Sequence, residues 1–180
     1  GIITMTMMAI RPQAVAAAIL NDVGPAIAPE GIARILSYVG KGPAVNDWTD
    51  AAQYVRQINA VALPHYGDEQ WQRFAQRTFR QGSDGPELDY DRAITVPLGK
   101  PPSKISLWLV GFLFRRLARR RPTLLIRGAL SDLITSQIAD RMQRLAPRMQ
   151  RVDVPGVGHA PMLTEREAVD AIERFLRTVP

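Results

Sequence analysis

Cysteine is absent from the 180 residues, and histidine occurs only twice. The first absence excludes a disulfide framework, a thiolate nucleophile and any cysteine metal site. The second argues against a histidine metal centre, because His65 and His159 fall in segments of different character. Long apolar runs are missing as well. The strongest, residues 105–114, ends in arginines, well short of the roughly 20 residues a membrane-spanning helix needs. Residues 1–10 are apolar but have no basic segment before them and no small-residue cleavage site after them, so they do not read as a signal peptide. A glycine start without an initiating methionine suggests a chain taken from the middle of a longer one. We found no internal repeat and no low-complexity tract.

What is present is ordinary for a globular protein: 46% hydrophobic and 22% charged residues, which excludes disordered and collagen-like classes. Acidic residues are the scarcer charge, 17 against 23 basic, giving a net charge of +6. Much of the excess sits in Arg115, Arg116, Arg119, Arg120 and Arg121. Cations at a helix C-terminus favour the negative pole of the helix dipole, and no nucleic-acid-binding motif accompanies them. The expectation is therefore no nucleic-acid or membrane partner. The lack of cysteine fits a cytoplasmic location.

Along the chain, residues 1–10 predict a helix apolar on nearly every face, which should be buried on most sides. Residues 14–20 predict a buried parallel strand, closed by Asn21-Asp22-Val23-Gly24-Pro25. Residues 29–39, 48–62 and 68–80 read as amphipathic helices, with Asp47 or Thr49 capping the second and Gly67-Asp68 opening the third. This stretch holds Tyr38, Trp48, Tyr54, Tyr66, Trp71, Phe74 and Phe79, and no strand-like alternation is evident in it. Residues 96–103 form a turn-rich connector to an apolar helix over 105–117. An alternating pattern follows: strand 123–127, helix 135–146 capped by Thr135 or Ser136, strand 150–154 and helix 165–179. The order implies an α/β fold with a parallel sheet. Three strands are few for such a sheet standing alone.

Ligands of open α/β sheets bind beyond the carboxyl ends of the strands. Asp22, Asp132 and His159 follow the three expected strands. A histidine there can take a proton from a hydroxyl and return it to a leaving group. A carboxylate beside it fixes the ring tautomer and stabilises the imidazolium. The acid before the base also matches the chain order nucleophile, acid, base. Each residue has a plainer alternative. His159 could be a structural histidine or a metal ligand, and Asp132 could cap the helix that follows it or close an Asx-turn.

The stretches PTLLIRGALSD and VPGVGHAPML resemble the acid and histidine loops of the α/β-hydrolase superfamily. NDVGP resembles the entry to the cap of its esterase-like members, and GIITMTMMAIRP the helix after the nucleophile elbow, with Gly1 as one of the elbow's last glycines. The resemblance covers essentially the whole chain. It implies a partial α/β-hydrolase fold: core over residues 1–24, helical cap and connector over 25–104, core again over 105–180. It also implies catalytic His159 with Asp132 as acid, Asp22 being the alternative, and no cofactor or metal. Leu133 and Ala160, adjacent to acid and base, are candidate substrate-pocket residues.

The elbow itself, G-x-S-x-G, occurs nowhere in the sequence, and Ser37, Ser83, Ser103, Ser106, Ser131 and Ser136 lack its strand–turn–helix setting. The nucleophile is therefore expected upstream, on an N-terminal part of the same protein, and the 180 residues alone are expected to be inactive. The implied activity is hydrolysis of small carboxylic esters or lactones. Dehalogenase, epoxide-hydrolase and carbon–carbon hydrolase chemistries share the fold, and a non-enzymatic binding module is the alternative of another class.

Overall fold

The computed structural model describes residues 1–42, 45–91 and 104–179, the side chains of residues 104–106 excepted. The connector expected over 96–103 lies outside them. Two compact units emerge, Gly1–Ile32 with Pro102–Pro180, and Ala33–Pro101. The first boundary thus falls after Ile32 rather than after Gly24.

The first unit begins with α1 (Ile2–Ile10) and a 3-10 turn at Pro12–Ala14, then β1 (Ala18–Asn21). After the second unit come α5 (Lys104–Arg120), β4 (Thr123–Gly128), α6 (Ser136–Leu145), β5 (Gln150–Val154) and α7 (Arg166–Leu176). The strands form one parallel sheet in the order β1-β4-β5. Register pairs Asn21 with Ile126 and Gly128 with Val154, so the three carboxyl ends lie at one edge. Central β4 is buried along its whole length, which explains the apolar run Leu124–Ile126 at its centre. Thr135 caps α6 as expected, its side chain accepting from the Ile138 amide.

One face of the sheet packs against α1, α5 and α6 through Met5, Met8, Leu20, Phe114, Leu125 and Met142. Such side chains contribute about 1.5–3 kcal/mol each by leaving water. The expectation for α1 needs correction. Only Met5 and Met8 are buried, while Ile2, Ile3 and Ile10 are 58%, 75% and 73% exposed. α1 packs against α5 on one side, and its other apolar face meets no neighbour among the described residues. The arginine cluster ends α5. Arg115, Arg119 and Arg120 are exposed, and Arg119 and Arg121 donate to the carbonyls of Leu145 and Pro12.

The second unit contains α3 (Trp48–Asn59) packed on α4 (Asp68–Thr78); α2 (Pro29–Tyr38) leads into it from the first. Asp47 caps α3 by accepting from the amides of Thr49 and Asp50. Its aromatics form a small core: Trp71 and Phe79 are buried, Tyr54 meets Phe79 edge-on, and Trp71 donates to the Tyr66 carbonyl. Contrary to the sequence reading, α4 ends at Thr78 and a β-hairpin follows, β2 (Phe79–Gly82) with β3 (Gly85–Leu88). Its two-residue loop, Ser83-Asp84, leads into Gly85 at φ +127, where glycine carries no steric cost. Asp-Gly is the signal that marked this turn. Within these elements no helix is long and apolar enough to cross a membrane.

Gly128 ends β4 under the backbone of the loop that follows β5. A Cβ there would lie 2.2 Å from the Gly158 carbonyl oxygen and 2.7 Å from that of Val157. Backbone cannot yield as a flexible side chain can. Gly128→Ala should therefore destabilise the protein by about 1–3 kcal/mol, the usual cost of overpacking, measured as the urea midpoint; an unchanged midpoint would contradict the close approach.

Candidate active site

The three strand ends each deliver a loop to the same edge. β1 hands over to Asp22, whose amide donates to the Ile126 carbonyl at 2.7 Å, continuing the ladder one residue beyond the strand. Asp22 then adopts φ +50, a left-handed conformation that aspartate tolerates better than most residues. The kink leaves Asp22 1% exposed.

Its carboxylate receives three hydrogen bonds. Oδ1 accepts from the Gly128 amide at 3.2 Å, and Oδ2 accepts from the Ser131 hydroxyl at 2.6 Å. Nδ1 of His159 lies 2.8 Å from the same Oδ2. A carboxylate only accepts, so Nδ1 carries the proton of that bond. In the neutral ring Nε2 is then the basic nitrogen. The His159 side chain is 31% exposed while that of Asp22 is fully enclosed. A half-open imidazole backed by a buried acceptor can exchange protons with a ligand while its orientation stays fixed.

The histidine loop reaches Asp22 by crossing over central β4. Asn21 Nδ2 donates to the Pro161 carbonyl at 2.9 Å, tying the far side of the loop to β1. The Ala129 and Leu130 amides donate to the carbonyls of Val154 and Val157, joining the loops after β4 and β5. Arg127, 6% exposed, holds the β4 loop from beneath. Its Nε donates to the Ile134 carbonyl, one Nη to that of Ala129 and the other to Asp153 on β5. Asp153 is also paired with Arg151, which bonds Asp140 of α6.

The structure brings His159 together with Asp22, the second-ranked acid of the sequence reading. The expectation that the partner carboxylate is Asp132 is corrected on this geometry. The residue of the β4 loop set on the Asp22–His159 pair is Ser131, one position earlier. The Ser131 amide donates to the Gly128 carbonyl, closing a tight turn, and its Oγ accepts from the amides of Leu133 at 3.2 Å and Ile134 at 3.0 Å. Sequence position after a strand identifies the loop but not which of its residues the turn aims inward. Leu133 is 3% exposed and lies against Gly31, so it is core packing as much as a pocket wall. Ala160 is half-buried beside the imidazole. No group of three or more potential ligands gathers to hold a metal among the described residues. Sequence reading missed Ser131 and Arg127. A serine two residues ahead of backbone amides and an arginine inside an otherwise apolar strand were the available signals.

No protein-family model matches the chain. A 3-hydroxybutyrate-oligomer hydrolase from Cupriavidus necator is 30% identical over 97% of this chain and 61% of its own length. The crystal structure of an α/β hydrolase from Novosphingobium aromaticivorans superposes with a TM-score of 0.86 at 39% identity, covering 98% of this chain and 61% of that one. An esterase from Mycobacterium tuberculosis, 17% identical with a TM-score of 0.67 over 99% of this chain and 58% of its own, shares the fold. The chain therefore spans about three-fifths of the length of the relatives it matches.

The ion pairs beneath the site carry a pH dependence. Burial opposes ionisation of Asp153, but the Arg151 hydrogen bond and charge, with Arg127 behind them, outweigh it and hold the carboxyl below its ordinary range. A folded-state value lower than the unfolded one stabilises the protein at neutral pH, and this contribution is lost as pH falls through the folded value. Asp153→Asn should lower Tm at pH 7 and flatten the decline of Tm between about pH 5 and pH 2; a variant with the parental acid slope would contradict this.

Proposed function

We propose that this chain, which belongs to the α/β-hydrolase superfamily, carries the acid–base half of a hydrolase active site: His159 is the general base, Asp22 the carboxylate that orients it, and the nucleophile is a serine on an upstream segment of the same protein. The observation that carries the reading is the 2.8 Å bond from His159 to a buried, acceptor-only carboxylate at the carboxyl edge of a parallel sheet. Asp22 thereby takes the role expected of Asp132.

The chemistry follows from the ring. Nε2 takes the proton of a serine hydroxyl as its oxygen attacks an ester carbonyl, and Asp22 stabilises the imidazolium that forms. The imidazolium then returns the proton to the alkoxide leaving group as the carbon–oxygen bond breaks. Water repeats the cycle on the acyl-enzyme, releasing the acid. The substrate class is a carboxylic ester or lactone. The name of the Cupriavidus necator relative favours this class, because a 3-hydroxybutyrate oligomer is a chain of ester bonds.

Three observations support a missing nucleophile-bearing segment as partner. No G-x-S-x-G occurs in the sequence. Among the described residues β1 pairs only on its β4 side, leaving a row of backbone groups for another strand. The outer face of α1, with Ile2, Ile3 and Ile10, is apolar and uncovered among the described residues. A strand–helix unit from upstream fits both surfaces, and the relatives' additional length is sufficient to supply it. The 180 residues alone should be inactive; p-nitrophenyl ester turnover by them that vanishes in His159→Ala would contradict the proposal.

In the longer protein, Asp22→Asn should reduce kcat by about 10⁴, the scale for losing a triad acid, while Asp132→Asn stays within about tenfold of the parent. The opposite ranking would return the role to Asp132. Labelling of the longer protein by a fluorophosphonate separates an enzyme with a reactive serine from a binding module, which would stay unlabelled.

A further inference from the structure

Ser131 has one proton and more partners than that proton can serve. Its Oγ lies 2.6 Å from Asp22 Oδ2, 3.2 Å from the Leu133 amide and 3.0 Å from the Ile134 amide. The two amides can only donate, so they occupy the oxygen's lone pairs. The hydroxyl proton is then left with a single direction, toward the carboxylate. Ser131 is 6% exposed, so water does not compete freely for it. In most settings a serine hydroxyl rotates between donating and accepting; here the turn fixes it as a donor.

We infer that Ser131 is a positioning residue of the active site: its hydroxyl, locked by the backbone turn after β4, withdraws part of the negative charge on Asp22 Oδ2 and thereby sets the basicity of His159. The inference deepens the proposed acid–base role of the Asp22–His159 pair and rests on it. Both donors share one oxygen, Oδ2. A hydrogen bond to the charged form of a carboxylate stabilises it and reduces the charge its other partner feels. Without the hydroxyl, Asp22 is a stronger partner for the imidazolium, and His159 holds its proton to higher pH. Other charged groups around these loops are Arg127 and Asp132 on β4 and its loop, Arg151 and Asp153 on β5, with Asp153 bonded to both arginines, and Glu165, which accepts from the Met162 and Thr164 amides of the histidine loop. All remain in place when the serine hydroxyl is removed.

Histidine titration by NMR tests this without requiring turnover, so a failure of the hydrolase reading and a failure of this inference are distinguishable. The chain has two histidines, and His65 in the second unit serves as the internal reference. In Ser131→Ala the His159 midpoint should rise by about half to one pH unit, with His65 unmoved. Ser131→Cys, near in size but a weak donor, should shift His159 in the same direction while preserving packing. Ser131→Thr should return it toward the parent. In the longer, active protein the acid limb of kcat/KM should move up with the His159 midpoint. A purely structural serine predicts a lower Tm with an unmoved His159 midpoint. That result in the folded cysteine variant, or a downward shift, would overturn the inference.

Discussion

The site depends on a loop crossing a strand. β4 lies between β1, which carries Asp22, and β5, which leads to His159, so the two side chains are separated in the sheet by a whole strand. The loop after β5 must pass over the end of β4 to bring them within 2.8 Å. Gly128 makes that passage possible because any Cβ at its position would occupy the path of the loop backbone. The same glycine contributes its amide to Asp22 Oδ1. The absence of a side chain thus creates both the space and one of the hydrogen bonds on which the geometry rests.

Around this crossing, polar groups are matched so that few options remain. The Asp22 carboxylate is met by an amide, a hydroxyl and an imidazole, each with a fixed donor. Arg127 bridges the β4 loop and β5 from below, and Asp153 and Arg151 extend the connection to α6. Buried arginine costs heavily unless its donors are used; here all three guanidinium nitrogens donate. The arrangement holds the loops rigid while His159 stays partly open. The general-base role proposed for His159 requires this combination.

The uncovered surfaces tell a complementary story. An apolar helix face and a strand paired on one side among the described residues are costly in water, and here both belong to one unit, with β1 following α1 in the chain. Both are the kinds of surface that the strand and helix proposed as partner would cover.

How much could be read from residues alone differs by level. The apolar run of β4, the capped helix α6 and the amphipathic α7 were legible because periodicity and capping are local properties. His159 was legible because Gly158 and Pro161 mark a tight loop after a strand. The hairpin of the second unit was missed although Asp84-Gly85 signalled it, since helical periodicity across residues 68–80 dominated the reading. Burial of α1 was over-read: composition records what a helix can bury, not how many neighbours it has. Sequence determined that a histidine and an acid would meet at the carboxyl edge of a parallel sheet, because strand order and loop position follow from local patterns. Only the tertiary structure decided that the acid was Asp22 and that Ser131 stood behind it. Which side chain of a loop turns inward depends on the left-handed kink at Asp22 and on amides donated across strands, neither of which has a signature within its own segment.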